Sequence, residues 1–210
     1  YIHRLRRLLG ADRITGRDGY TLHAAPDEMD AHRFAQLAQA GQQELAGGDP
    51  QAASIHLHQA LALWRGAAFA GLEDQPLIAA QAAYLDDQRL TALEHRIDAD
   101  LALGRHGELA TELTTLSTRY PYRERFHAQR MLALYRSGRQ DDAPAASRTL
   151  RTILADELGV DPWPNVQRLH LAMLRSDPNL DLTTGPDRTG RPGRPPAAAS
   201  PAPPIPPQLP

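Results

Sequence analysis

Apolar positions recur along most of this chain at helical spacing. In the first turns Ile2, Leu5, Leu8 and Leu9 share one helix face, His3, Arg4 and Arg7 point the opposite way, and Arg6 lies on the flank. The period then drops to two: Ile14-Thr15 and Tyr20-Thr21-Leu22 bracket Asp18-Gly19, where Gly supplies the positive φ of a tight turn. This predicts a β-hairpin with Arg17 at its tip. From Asp30 to about Asp177 helical spacing returns, interrupted only at Gly and Pro. Asp30 is expected to cap a helix running to about Ala46, with Gly47-Gly48 as its stop; Asp49-Pro50 should start a second one reaching Trp64 to Gly66. A loop of small residues, Ala67 to Gln75, precedes Pro76 and a long helix ending near Leu103-Gly104. Further helices are expected at roughly 106–119, 123–137, 140–158 and 164–176, and strand signals beyond the hairpin are weak.

The helix breaks repeat. Leu103-Gly104-Arg105-His106 returns as Ser137-Gly138-Arg139-Gln140, an offset of 34 that also relates Leu101 to Tyr135, Leu116 to Leu150 and Glu108 to Asp142. Thirty-four residues is the period of a tetratricopeptide helix pair, a unit that buries its apolar face only by stacking on its neighbours. The fold class expected is therefore all-α: a tetratricopeptide-like array of about three helix pairs, preceded by a helix and hairpin.

Charge sharpens this division. Residues 1–24 hold five Arg against two Asp, a surplus of three positive charges, whereas the whole chain carries −2, leaving the remainder at −5. A basic end on an acidic body suits nucleic-acid contact at one end and protein contact elsewhere. All 23 cationic residues are Arg, the mark of a high-GC coding bias, so neither a P-loop lysine nor a Schiff-base lysine lies in this chain. Cysteine is absent, which removes disulfides, thiolate metal ligands and thiol nucleophiles. No apolar run reaches transmembrane length and no signal peptide precedes the basic helix, so a soluble, cytoplasmic protein without membrane contact is expected.

Candidate chemistry elsewhere is sparse. His56 and His58 are two apart, about 200° around a helix, and cannot chelate one metal from the same face. Asp86-Asp87 and Asp98 with Asp100 fail as carboxylate pairs for the same reason, and no nucleophile triad or glycine-rich phosphate loop is present. No enzyme, cofactor or metal is expected within these residues. Trp64 reads as a core anchor at a helix end, and Arg123-Glu124-Arg125 as a solvated, salt-bridging helix start.

Two resemblances carry the functional expectation. The opening, Ile2 to Gly10 followed by Gly19-Tyr20, resembles the end of an OmpR/PhoB-type winged helix, whose recognition helix runs directly into the wing. This resemblance implies that His3, Arg4, Arg6, Arg7 and Arg17 form the DNA-binding set. Arginines there would mostly hold phosphates, reading bases only where a bidentate contact to guanine is available. It also implies that Tyr1 falls inside the recognition helix. Further along, Ala60-Leu-Ala-Leu-Trp-Arg-Gly66, Arg105-His-Gly-Glu-Leu109, Tyr120-Pro-Tyr-Arg-Glu-Arg125, Leu134-Tyr-Arg-Ser-Gly-Arg-Gln140 and Asp156-Glu-Leu-Gly-Val-Asp-Pro162 occur in order. They resemble the bacterial transcriptional activator domain of the Streptomyces antibiotic regulatory protein family over roughly 27–178. What this implies is a transcriptional activator that binds direct repeats in promoter DNA, works as a homodimer and engages RNA polymerase. A tetratricopeptide-like scaffold without DNA contact is the alternative.

The resemblance also exposes two departures. Pro144 sits near the start of the seventh helix and should shift or fray that start, and Ser147 stands where the family places a large aromatic, which predicts looser packing. The domains expected are thus 1–25, the end of a winged helix-turn-helix; 27–178, the helical activator domain; and 179–210, a linker. Eleven of the 18 prolines lie from Pro178 onward with almost no large apolar residue, a composition that cannot bury a core and is expected to be extended and disordered. Pro206-Pro-Gln-Leu-Pro210 resembles the segment preceding a nucleotide-binding module in large AfsR-like regulators, which would make this chain an internal piece of a longer protein.

Overall fold

A computed structural model describes residues 1–16, 19–72 and 74–181 of the chain. Helix α1 (Ile2–Leu9) leads through a 3-10 turn to the strands β1 (Ile14–Thr15) and β2 (Thr21–Leu22), which pair antiparallel with Ile14 opposite Leu22 and Thr15 opposite Thr21. Seven helices follow: α2 (Asp30–Ala46), α3 (Pro50–Ala62), α4 (Pro76–Ala102), α5 (His106–Arg119), α6 (Glu124–Arg136), α7 (Asp142–Leu158) and α8 (Pro164–Leu174). They form the array expected from the repeat, with α2/α3, α4/α5 and α6/α7 as pairs and α8 laid against the last pair. The proline-rich stretch 182–210 lies outside the described residues.

The repeat has a physical origin in how the helices stop. Gly104 and Gly138 have φ of 84° and 76°, a left-handed conformation that costs glycine nothing and any β-carbon a clash. The next amide then reaches back five residues, Arg105 to the Asp100 carbonyl and Arg139 to the Leu134 carbonyl, at 3.0 Å in both cases. Two orphan helix-end carbonyls are satisfied identically, and the chain turns to start the partner helix. Asp49 likewise caps α3 as expected, accepting from the Ala52 amide at 3.0 Å with Pro50 in the first turn.

The boundaries differ from the sequence expectation in three places. Met29, not Asp30, occupies the cap position of α2, and Asp30 is its first helical residue, its side chain turned to Arg65 at 3.2 Å. Helix α3 stops at Ala62, so Trp64 lies beyond the helix and folds back on Phe34 edge to face, with ring centroids 5.4 Å apart. Helix α7 begins at Asp142, placing Pro144 in the first turn, where its missing amide has no intrahelical partner to lose. Ser147 is buried on α7.

Helix α4 is the spine, about 40 Å long at the standard rise. Its Ala92 and Ala99 close one core with Phe34, Ala53, Leu57 and Ala60 of the first pair. Its Ile97 and Leu101 face a larger core built from Leu113, Phe126, Met131, Leu150 and Leu154. The first pair packs closely enough to need Gly41: a β-carbon there would stand 2.5 Å from Leu57 Cγ.

Between these apolar layers run charged ties. Asp100, 2% exposed, accepts from Ser54 Oγ at 2.8 Å, Arg105 Nη1 at 2.7 Å and Arg96 Nη1 at 3.2 Å, and Arg96 continues to Glu112 at 2.9 Å. The start of α6 departs from the solvated reading. Glu124 is buried and accepts from the Trp163 amide at 2.7 Å, Arg123 pairs with Glu94 at 2.8 Å and with Asp87, and Arg125 pairs with Asp98. These residues staple α6 to α4 and to the segment before α8.

Candidate nucleic-acid interface

The basic helix and the hairpin form one unit because Arg6 reaches from the first to the second. Its Nε donates to the Ile14 carbonyl at 2.9 Å, Nη2 donates to the Gly16 carbonyl at 3.4 Å, and the guanidinium lies 5.8 Å from the Tyr20 ring centre. Ile14 is the buried anchor of the hairpin, whereas Tyr20 and Leu22 are both exposed, so the alternation read in β2 does not sort one face inward.

The remaining expected contacts fall on the outer side of α1. Arg4 makes no side-chain hydrogen bond or ion pair with any described residue, and Arg7 Nη2 approaches His3 Nε2 at 3.4 Å, both exposed. Arg17 lies outside the described residues. Thus His3, Arg4 and Arg7 share a solvent-facing surface, while Arg6 is turned to the hairpin and holds its position. Across from the basic surface, Leu5, Leu8 and Leu9 are also exposed, Leu8 at 71%.

A second tie, absent from the sequence reading, joins this corner to the helical body. Arg13 forks onto both oxygens of Glu28 and donates to the His23 carbonyl at 3.2 Å, while Thr15 Oγ1 meets His23 Nε2 at 2.8 Å. Glu28 also accepts from the Ala25 amide at 2.8 Å. The hydrogen bonds from Arg13, with that amide, hold the Glu28 carboxyl down to about 2. Fifteen residues separate the partners, and nothing in their local pattern marks them as a pair; only the fold brings them together.

The expected weak candidates separate in space. His56 Nδ1 meets Glu44 at 2.8 Å, His58 Nδ1 meets the Ser54 carbonyl at 2.8 Å, and no cluster of three metal-ligating residues occurs among the described residues. Asp98 and Asp100 each face arginines rather than one another. No helix among the described residues is long and apolar enough to cross a membrane.

A tetratricopeptide-like helical body, preceded by a helix and hairpin with a solvent-facing basic surface, defines the class as a helical repeat domain. The chain belongs to the bacterial transcriptional activator domain family, whose model matches residues 29–174. This is the domain of the Streptomyces antibiotic regulatory family that the five ordered motifs resemble, and the family is one of transcriptional regulators. The regulatory protein DnrI of Streptomyces peucetius is 41% identical over 169 residues, covering 80% of this chain and 62% of that protein. The regulatory protein AfsR of Streptomyces coelicolor is 41% identical over 182 residues, 86% of this chain and 18% of that one. Among solved structures, Mycobacterium tuberculosis EmbR in complex with a low-affinity phosphopeptide superposes with a TM-score of 0.79 at 34% identity, over 85% of this chain and 49% of EmbR. The chain spans less than two thirds of the length of each of these proteins.

Proposed function

We propose that this chain is the regulatory body, with the end of the DNA-binding unit, of a transcriptional activator that recognises direct repeats in promoter DNA. The observation carrying this reading is the composite of α1 and the hairpin: His3, Arg4 and Arg7 face solvent without acidic partners on a helix whose position against the hairpin is held by Arg6. Arginines without acidic partners on one helix face are available to neutralise phosphates, and Arg17, between the two strands in sequence, would add a wing contact. Arg6 acts as a positioning residue, orienting the hairpin relative to the helix that enters the groove. The helical body supports dimerisation, receives the regulatory signal and presents the DNA-binding unit to RNA polymerase in the cytoplasm. The Arg13–Glu28 fork is the mechanical link between the two parts.

The test is fluorescence-anisotropy binding to promoter DNA with direct repeats, comparing this chain with a longer form carrying a complete winged helix. Salt-sensitive, sequence-selective binding confined to the longer form is the expected result. Absence of any sequence preference in that form would leave a protein-interaction scaffold as the function.

A further inference from the structure

Two aromatic side chains stand out at one end of the last helix pair, where α6 and α8 start and α7 stops. Trp163 is 66% exposed and Tyr122 50% exposed, although rings of this size are mostly covered in folded domains. Leu158 and Val160 at the same end are exposed as well. The chain carrying the two rings is nonetheless fixed. The Trp163 amide donates to the buried Glu124 carboxylate at 2.7 Å, and the Glu124 amide donates to the Tyr122 carbonyl at 3.1 Å, so one residue holds both. The Tyr122 hydroxyl donates to Glu157, and Gln167 Nε2 donates to the Pro162 carbonyl at 2.7 Å. An exposed apolar surface of set shape marks a docking site, and Trp and Tyr are the residue types that anchor one.

The same chain carries a segment of matching chemistry. Residues 182–210 lie outside the described residues, and their closing stretch, Pro201-Ala-Pro-Pro-Ile-Pro-Pro-Gln-Leu-Pro210, places prolines three apart at 201/204, 203/206, 204/207 and 207/210. Pro-x-x-Pro sequences favour the polyproline II helix and dock on aromatic-lined surfaces. Charge agrees: Arg188, Arg191 and Arg194 against one Asp precede that stretch, while Asp156, Glu157 and Asp161 are exposed beside the aromatic pair and belong to no ion pair among the described residues. Reach agrees too. Leu180 is held by Arg136 at the other end of α6, a helix of 13 residues and so about 20 Å long, and the 20 residues from Asp181 to Pro201 span about 60 Å as polyproline II.

We propose that the proline-rich stretch 201–210 docks within its own chain across Trp163 and Tyr122. Prolines stack on the two rings, a backbone carbonyl accepts from the Trp163 indole, and the preceding arginines come alongside Glu157 and Asp161. Being in the same chain, the stretch is present at high effective concentration, so a weak contact suffices. Docking covers the aromatic surface against other partners and ties the chain beyond the body to its last helix pair. It stands apart from DNA contact at α1 and is tested without it.

The chain has no cysteine, so Ser200→Cys in the full chain gives a single site for a nitroxide spin label. The 15N-labelled protein is followed at both indole N–H protons, Trp64 in the first helix pair being closed to solvent and a built-in control. Expected is loss of the Trp163 indole and Tyr122 amide signals with the Trp64 indole retained. In a mixture of spin-labelled 14N chains and unlabelled 15N chains every signal stays, because the contact is made within one chain. Combining Pro203→Gly, Pro204→Gly, Pro206→Gly and Pro207→Gly, all outside the helical body, restores the Trp163 signal, and Trp163→Ala restores that of Tyr122. Equal broadening at all exposed residues, no broadening at Trp163, broadening in the mixed sample, or a Trp163 signal still lost in the proline variant would overturn the proposal.

Discussion

Arg96, Arg123 and Arg136 of the helical body and Arg4 and Arg7 of α1 are the same residue under opposite conditions. In the body, Arg96 is enclosed between Asp100 and Glu112, Arg123 between Glu94 and Asp87, and Arg136 donates to the Leu101 and Leu180 carbonyls at 3.2 and 2.6 Å. On α1, Arg4 faces water alone and Arg7 meets only a histidine. The apolar residues divide in the same way, with Leu57, Leu113 and Leu150 fully enclosed and Leu5, Leu8 and Leu9 exposed. Charge count alone therefore misleads about partners. The body is the more charged region in number, but Arg96, Arg123 and Arg136 there are taken up within the fold, whereas Arg4 and Arg7 at the basic end have no acidic partner among the described residues.

The sharpest test removes a body charge. Asp100→Ala deprives Ser54, Arg105 and buried Arg96 of their shared acceptor, and breaking a buried pair in this way should destabilise the fold by about 3–5 kcal/mol in denaturant melts. Arg4→Ala with Arg7→Ala should do the reverse in the form with a complete winged helix. Its melting temperature stays put, while the slope of log affinity against log salt falls by about two, one for each phosphate no longer neutralised. If the double variant instead unfolds the protein, or leaves the slope unchanged, the contrast between engaged and available arginines fails. Gly41→Ala probes packing rather than charge: its new methyl meets Leu57 at 2.5 Å, and an overpacked helix pair should lose about 1–3 kcal/mol with DNA binding intact at low temperature.

Much of this architecture was legible because local signals agreed. The Gly104 and Gly138 stops, the Asp49-Pro50 start and the Pro76 start each combine a backbone preference with the onset or end of apolar spacing, and each falls where the sequence put it. Trp64 broke the pattern. Apolar spacing continues through Leu63-Trp64, but contact with Phe34 and Arg89 turns the chain out of the helix, an influence no local window contains. Arg123, Glu124 and Arg125 look like solvent-facing charges for the same reason, since their partners lie from 27 to 39 residues away. At the candidate interface, helical spacing sufficed to put His3, Arg4 and Arg7 on one face. The Arg6 clamp required knowing where the hairpin folds back, and the Arg13–Glu28 tie required the whole corner.

The two regions should also separate along the pH axis. In the body, burial lowers the pKa of His95, His106, His127 and His170 from the ordinary 6.5, with Arg125, Arg136, Arg130 and the Arg151–Arg148 pair, respectively, adding positive charge nearby. Below about pH 6.5 the unfolded chain takes up protons that the folded body refuses, so stability falls as pH drops through that window. The corner behaves differently, because Glu28 is held at about 2 against an ordinary 4.5: its contribution is complete above 4.5 and is lost only as pH falls from there toward 2. Circular dichroism melts should therefore show the melting temperature declining from pH 6.5 to 5, and His127→Asn should flatten part of that decline. The 13C carboxyl shift of Glu28 should not move until well below pH 4, and Arg13→Ala should return its titration toward 4.5. The Glu28 effect on overall stability is the smallest of these, since the fork is exposed to solvent and screened by salt. A Glu28 that titrates near 4.5 in the intact chain would mean that the corner is not tied to the body.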